Sequence, residues 1–154
     1  MRKVIFSLLT TLLIFSLSGC VIHTVPSTTV TKVISLKEKQ KELYVKANNW
    51  MAETFKNSKS VIQFRDKESG TITGRYLLGT VMIASQQLPA QYVYAIIKIQ
   101  VKDGASKITL KPESFRYAEG NPSTLYTEEN ANTDIKELIS SFQIYMQNQV
   151  DNKW

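Results

Sequence analysis

The sequence predicts an α+β domain of two layers, a curved antiparallel sheet of about five strands with two helices on one face, in the order β-α-β-β-β-β-α. Three observations carry this prediction. Gln91 to Lys102 alternates, with Val93, Ala95, Ile97, Ile99 and Val101 set against Tyr92, Tyr94, Lys98, Gln100 and Lys102, as in a strand with one buried and one wet face. Leu43, Ala47, Trp50, Met51, Thr54 and Phe55 recur at three- and four-residue spacing, the apolar stripe of a helix. Ile135, Leu138, Ile139, Phe142, Tyr145, Met146 and Val150 form a second such stripe.

The chain begins with Arg2 and Lys3, followed by an apolar run from Val4 to Leu17. Roughly 14 residues are too few to span about 30 Å of hydrocarbon as a helix, so residues 1–19 read as a cleaved export leader. Leu17, Ser18 and Gly19 before Cys20 resemble the processing site of bacterial lipoproteins, which implies a diacylglycerol on the Cys20 thiol and a membrane as its partner. Two or more acyl chains anchor stably where one, at about 0.8 kcal/mol per methylene, is marginal. Removing Arg2 and Lys3 lowers the formal charge from +6 to +4, a mild surplus that ordinary solvation accounts for. No Arg-rich helix or zinc-finger spacing appears, so nucleic acid is not an expected partner. Cys20 is the sole cysteine, which excludes a disulfide, and the domain must stand on packing alone.

Residues 20–30 read as the lipidated cysteine and a tether, and residues 31–154 as a single domain. In many Gram-negative bacteria an Asp directly after the lipid cysteine resembles an inner-membrane retention signal. Val21 holds that position, and Val21 to Val25 carry no carboxylate of the kind that marks surface export. The expected address is the outer membrane, facing the periplasm. His23, the only histidine, has no second ligand or partner acid near it in sequence, and neither catalysis nor metal binding is expected there.

Thr29 to Leu36 is β-branched and weakly alternating, a first strand. Ser35-Leu36-Lys37-Glu38 has the form of a capping box and predicts a helix over about 36–57, with Lys37, Lys39, Lys41, Lys46 and Glu53 away from its apolar stripe. Ser60 to Arg65 and Thr71 to about Ala84 are two strands joined by the charged turn Asp66-Lys67-Glu68-Ser69-Gly70. Gly74 and Gly79 within the second mark bulges or bends. Asp103-Gly104 turns the alternating strand into another, Lys107 to about Arg116, with Ile108 and Leu110 inward. Ala118 to Asn132 is a loop recrossing the sheet, and the second helix follows.

Lys41-Glu42-Leu43-Tyr44 with Trp50 and Phe55, then Ser60-Val61-Ile62-Gln63, Asp66 to Gly70 and Gly74, resemble a family known only as a domain of unknown function with a TATA-box-binding-protein-like fold. The resemblance is strongest over residues 36–76. It implies a helix-on-curved-sheet fold, and its motifs are packing and turn residues that carry no catalytic or binding role.

The chain has no nucleophile elbow, no second cysteine or histidine, and no P-loop lysine. Glu113, Glu119, Glu128 and Glu129 could meet in space for carboxylate-only catalysis, but nothing in the sequence favours it, so no enzyme, cofactor or metal is expected. The expected function is an anchored adaptor whose open sheet face, bearing Tyr92, Tyr94, Lys98, Lys107, Thr109 and Lys111, contacts an envelope protein or glycan. The alternatives are a carrier holding a small lipid-like ligand in an apolar cavity, and a structural component of an envelope assembly joined through residues 118–132 or an edge strand.

Overall fold

The computed structural model describes residues 21–84 and 89–148. The leader, its processing residues Leu17, Ser18 and Gly19, the lipidation candidate Cys20, and Val150 lie outside the described residues. Among the described residues the elements are, in order, β1 (Ile22–Val25), β2 (Val30–Ser35), α1 (Gln40–Thr54), α2 (Ser58–Val61), β3 (Ile62–Asp66), β4 (Thr71–Met82), β5 (Gln91–Lys102), β6 (Ala105–Pro112), β7 (Phe115–Ala118) and α3 (Glu128–Gln147). Five strands make an antiparallel sheet ordered β2-β6-β5-β4-β3, and β1 and β7 form a separate antiparallel ribbon. The expected α+β class and sheet are present, with a ribbon and the short α2 added to them. α1 and α3 cover the same face, where Trp50 of α1 meets Phe142 of α3 edge to face at 4.9 Å.

The ribbon corrects two expectations. The strand predicted over Lys107 to Arg116 breaks at Pro112, which has no N–H to extend the ladder. Glu113 makes the last ladder bond, its N–H donating to the Tyr94 carbonyl at 2.8 Å, and Phe115–Ala118 swings away to pair with β1. The stretch read as a tether therefore contains an ordered strand, since Ile22 pairs with Ala118 and Val25 with Phe115.

α1 begins at Gln40 and ends at Thr54, inside the predicted span. Ser35 cannot cap it, because it is held in β2 opposite Ala105. The capping oxygen comes instead from the β5–β6 turn, where Asp103 accepts the Gln40 N–H at 2.8 Å and also meets Lys39 Nζ at 3.2 Å. Those bonds hold the Asp103 carboxyl below its ordinary value, the Gln40 amide contributing most. The predicted strand at 60–65 opens as α2 and becomes strand only from Ile62. α3 starts within the predicted loop because Thr127 and Asn130 cap each other, Asn130 Oδ1 accepting the Thr127 N–H at 2.8 Å and Thr127 Oγ1 accepting the Asn130 N–H at 3.4 Å.

The main core between sheet and helices joins Leu43, Ala47, Trp50 and Met51 to Ile72, Ile97, Ile99, Ile108, Leu110, Phe142 and Met146. Lys46, expected on the solvent side of α1, is buried at 7% exposure because its ammonium turns onto the last carbonyls of α3. A second, smaller core of Val25, Val81, Val93, Phe115, Tyr126 and Ala131 fixes the ribbon to the far end of β4 and β5. Its keystone contact explains Gly79. The Tyr126 ring lies so close to this bulged stretch of β4 that a Cβ there would stand 2.4 Å from a ring carbon. Gly79→Ala is expected to push the ring off the strand and to cost about 1–3 kcal/mol by overpacking, measured as a lower urea midpoint at unchanged m. A midpoint equal to that of the unaltered protein would refute this role.

Candidate interaction face

One face of the five-stranded sheet carries the helices and the other is open. On β5 the open face takes Tyr92, Tyr94, Ile96, Lys98, Gln100 and Lys102, the residues between the buried positions of the strand. Antiparallel register sets Lys98 beside Thr109, Gln100 beside Lys107 and Ile96 beside Lys111. The six residues singled out by alternation thus share this face. From β4, Thr73 stands beside Lys98 and Arg75 beside Ile96, and from β3 Phe64 pairs with Thr73.

Exposed apolar side chains interleave with these cations, among them Tyr92 and Phe64 at 52% exposure, Leu77 at 50%, and Val33 beside Lys107. Phe64, Leu77 and Arg75 are absent from the sequence-based set. β3 and β4 both carry register shifts, at Ile62/Phe64 and beyond Leu77, and these blur the alternation that would have sorted their faces. Tyr94 is less free than expected. The Arg75 guanidinium lies 3.6 Å from its ring centroid, and Glu113 Oε1 holds that guanidinium through Nη2 at 2.8 Å and Nε at 2.9 Å. Tyr92, Phe64, Leu77 and Val33 are open apolar contacts, while Tyr94 forms part of a braced Tyr–Arg–Glu cluster.

At the β5–β6 turn this face ends in a shallow cleft of about 340 Å³ lined by Val33, Gln100, Lys102 and Lys107. The carboxylates noted in the sequence are dispersed. Glu113 is committed to Arg75, Glu119 accepts from His23 Nε2 at 2.7 Å, and Glu128 and Glu129 sit in the first turn of α3, where a helix favours negative charge. His23 therefore has an acid partner, supplied by the ribbon from 96 residues away, and it stacks on Tyr117 at 5.1 Å. Among the described residues no three His, Cys, Asp or Glu side chains gather as a metal site. No described helix is long and apolar enough to cross a membrane.

Residues 30–118, from the start of β2 to the end of β7, match the model of DUF4468, a domain of unknown function with TBP-like fold. The chain belongs to the DUF4468 family. Among solved structures, this DUF4468 chain is similar to a TBP-like protein from Parabacteroides distasonis, at 10% identity and a TM-score of 0.53 over 79% of this chain and 94% of that one. It is also similar to a DUF4468 family protein from Bacteroides ovatus, at 18% identity and a TM-score of 0.48 over 82% of this chain and 90% of that one. The first likeness agrees with the helix-on-curved-sheet fold. No curated protein matches the chain.

Proposed function

We propose that this DUF4468 chain is a non-catalytic binding or adaptor module of the bacterial envelope, lipid-anchored through Cys20 after removal of residues 1–19. In this reading it sits at the outer membrane, faces the periplasm, and uses its open sheet face to hold an envelope protein or glycan. The observation that carries the proposal is the interleaving of exposed Tyr92, Phe64 and Leu77 with Lys98, Lys107 and Lys111 on a rigid five-strand ladder. Aromatic and aliphatic side chains among cations are the composition of a contact surface, and a ladder presents them without an ordering cost on binding. One feature favours an adaptor over a carrier: Trp50, Phe142, Leu43 and Met51 occupy the layer between sheet and helices.

The test is a pull-down of tagged, lipidated protein from gently solubilised envelope, with Cys20→Ser and Tyr92→Ala/Lys98→Ala as comparisons. The double variant is expected to weaken capture of the partner at least about tenfold, since truncating a central contact residue costs about 2 kcal/mol. Undiminished capture would refute the face. Membrane fractionation of Cys20→Ser in detergent-free buffer would refute the anchor.

A further inference from the structure

The two ends of the sheet differ in polarity. One end carries the charged turns Asp66 to Gly70 and Asp103-Gly104, with Lys39 and Lys102 beside them. The opposite end holds the ribbon and the residues around Val81, and here large apolar side chains are turned outward. Val21, Ile22, Ile83 and Leu125 are each more than half exposed. Val21 and Leu125 are tied to their neighbours through the backbone. The Glu119 N–H donates to the Val21 carbonyl and the Leu125 N–H to the Val81 carbonyl, each at 2.9 Å, and the second core lies directly behind.

We infer that this end, bearing Val21, Ile22, Ile83 and Leu125, seats in the head-group layer of the bilayer. The inference rests on the anchor reading of Cys20 and deepens it. Chain geometry picks out the membrane over a protein partner. Cys20 directly precedes Val21, and β1 enters the second core at Val25, so an acyl chain on Cys20 is tied within at most about 18 Å of that core. The ribbon leaves no slack tether, and the apolar residues fringing this core must lie close to whatever surface the acyl chains enter. Exposed apolar side chains beside a covalent lipid gain by entering the boundary between head groups and acyl chains, about 5–10 Å deep. Glu119, whose N–H bonds Val21, and Glu128 and Glu129 at the start of α3 keep the seat shallow because their exposed carboxylates stay in water. β4 and β5 then rise away from the membrane, about 40 Å for 12 residues, so that Tyr92 lies near the lipid while the stretch of the open face around Lys98, Gln100 and Lys107 stands clear of it.

Cys20 is the only cysteine, so in the lipidated protein an introduced cysteine is the sole free thiol. Leu125→Cys, Ile83→Cys and, at the charged end, Lys102→Cys are labelled with an environment-sensitive nitrobenzoxadiazole dye. Each lipidated variant is reconstituted into phosphatidylcholine–phosphatidylethanolamine vesicles carrying a head-group nitroxide quencher. The dyes at 83 and 125 are expected to shift to the blue and lose most of their emission to the quencher, while the dye at 102 does neither. Flotation of lipidated protein with all three dyes equally aqueous would overturn the seating alone. An unmodified Cys20 by mass spectrometry, together with failure to float, would overturn the anchor reading and the seating with it.

Discussion

Trp50→Ala is expected to lower the stability of the domain by about 3–5 kcal/mol, which brings a protein of ordinary stability, about 5–15 kcal/mol, close to unfolding. The indole is 1% exposed and meets Phe142 at 4.9 Å and Phe55 at 6.0 Å, both edge to face. Its Nε1–H donates to Ser141 Oγ at 3.3 Å, so the one polar atom of the ring is satisfied from α3. Truncation leaves a cavity where α1, α3 and the sheet converge, and none of the three can close on it without losing its other contacts. Trp50→Phe keeps most of the volume and gives up mainly the bond to Ser141, so it should cost less than half as much. Val45→Ala, on the exposed side of the same helix, should change stability by no more than about 0.5 kcal/mol. Urea denaturation followed by far-ultraviolet circular dichroism separates the three. A Trp50→Ala midpoint close to that of Val45→Ala would refute this core role of the indole.

The open face and the helical core stripes were legible in the sequence because strict alternation in β5 and three-four spacing in α1 and α3 are local properties, decided within a dozen residues. Features that depend on partners distant in the chain were not. Ser35 and Glu38 have the form of a capping box, but Ser35 is drawn into the ladder opposite Ala105, and the cap is Asp103, 63 residues beyond Gln40. Asp103-Gly104 reads as a turn, and it is one, with Gly104 at φ +76°. Nothing local reveals that the same turn caps a helix. Ile22 to Val25 reads as a tether because its pairing partner, β7, lies 90 to 96 residues further on. On the candidate face, Lys98 and its neighbours were identifiable from β5 and β6 alone. The bracing of Tyr94 by Arg75 required the knowledge that β4 lies beside β5, with Leu77 opposite Tyr94. The glycines of β4 were readable as bends, but the reason for Gly79 resides in Tyr126, on a different element.

Lys46→Met is expected to destabilise the domain by about 1–3 kcal/mol and to loosen the last turn of α3 selectively. The Lys46 ammonium donates to the Met146 carbonyl at 2.7 Å, to the Asn148 carbonyl, and to Glu38 Oε1 at 3.4 Å. The final carbonyls of a helix have no partners within it and carry the negative end of its dipole, so a buried cation there satisfies both needs. Methionine keeps the apolar stem and its packing but leaves those carbonyls unpaired, which assigns the loss to the ammonium rather than to volume. Amide hydrogen exchange near residues 143–148 should accelerate, while β5 exchanges as before. Lys41→Met, exposed on the same helix, is the comparison. Glu38 adds a pH signature. Burial alone would raise its carboxyl, but N–H groups of its own residue and of Lys37, with the Lys46 ammonium, outweigh burial and hold it below the ordinary value. A depressed folded-state value means that this carboxylate stabilises the fold above its unfolded value, and that the contribution fades as pH falls through the folded one. The unaltered protein should therefore lose more stability than Lys46→Met between neutral pH and the acid side of the carboxylate range. Parallel stability curves for the two proteins over that interval would show that the Lys46 ammonium acts on the α3 carbonyls and not through Glu38.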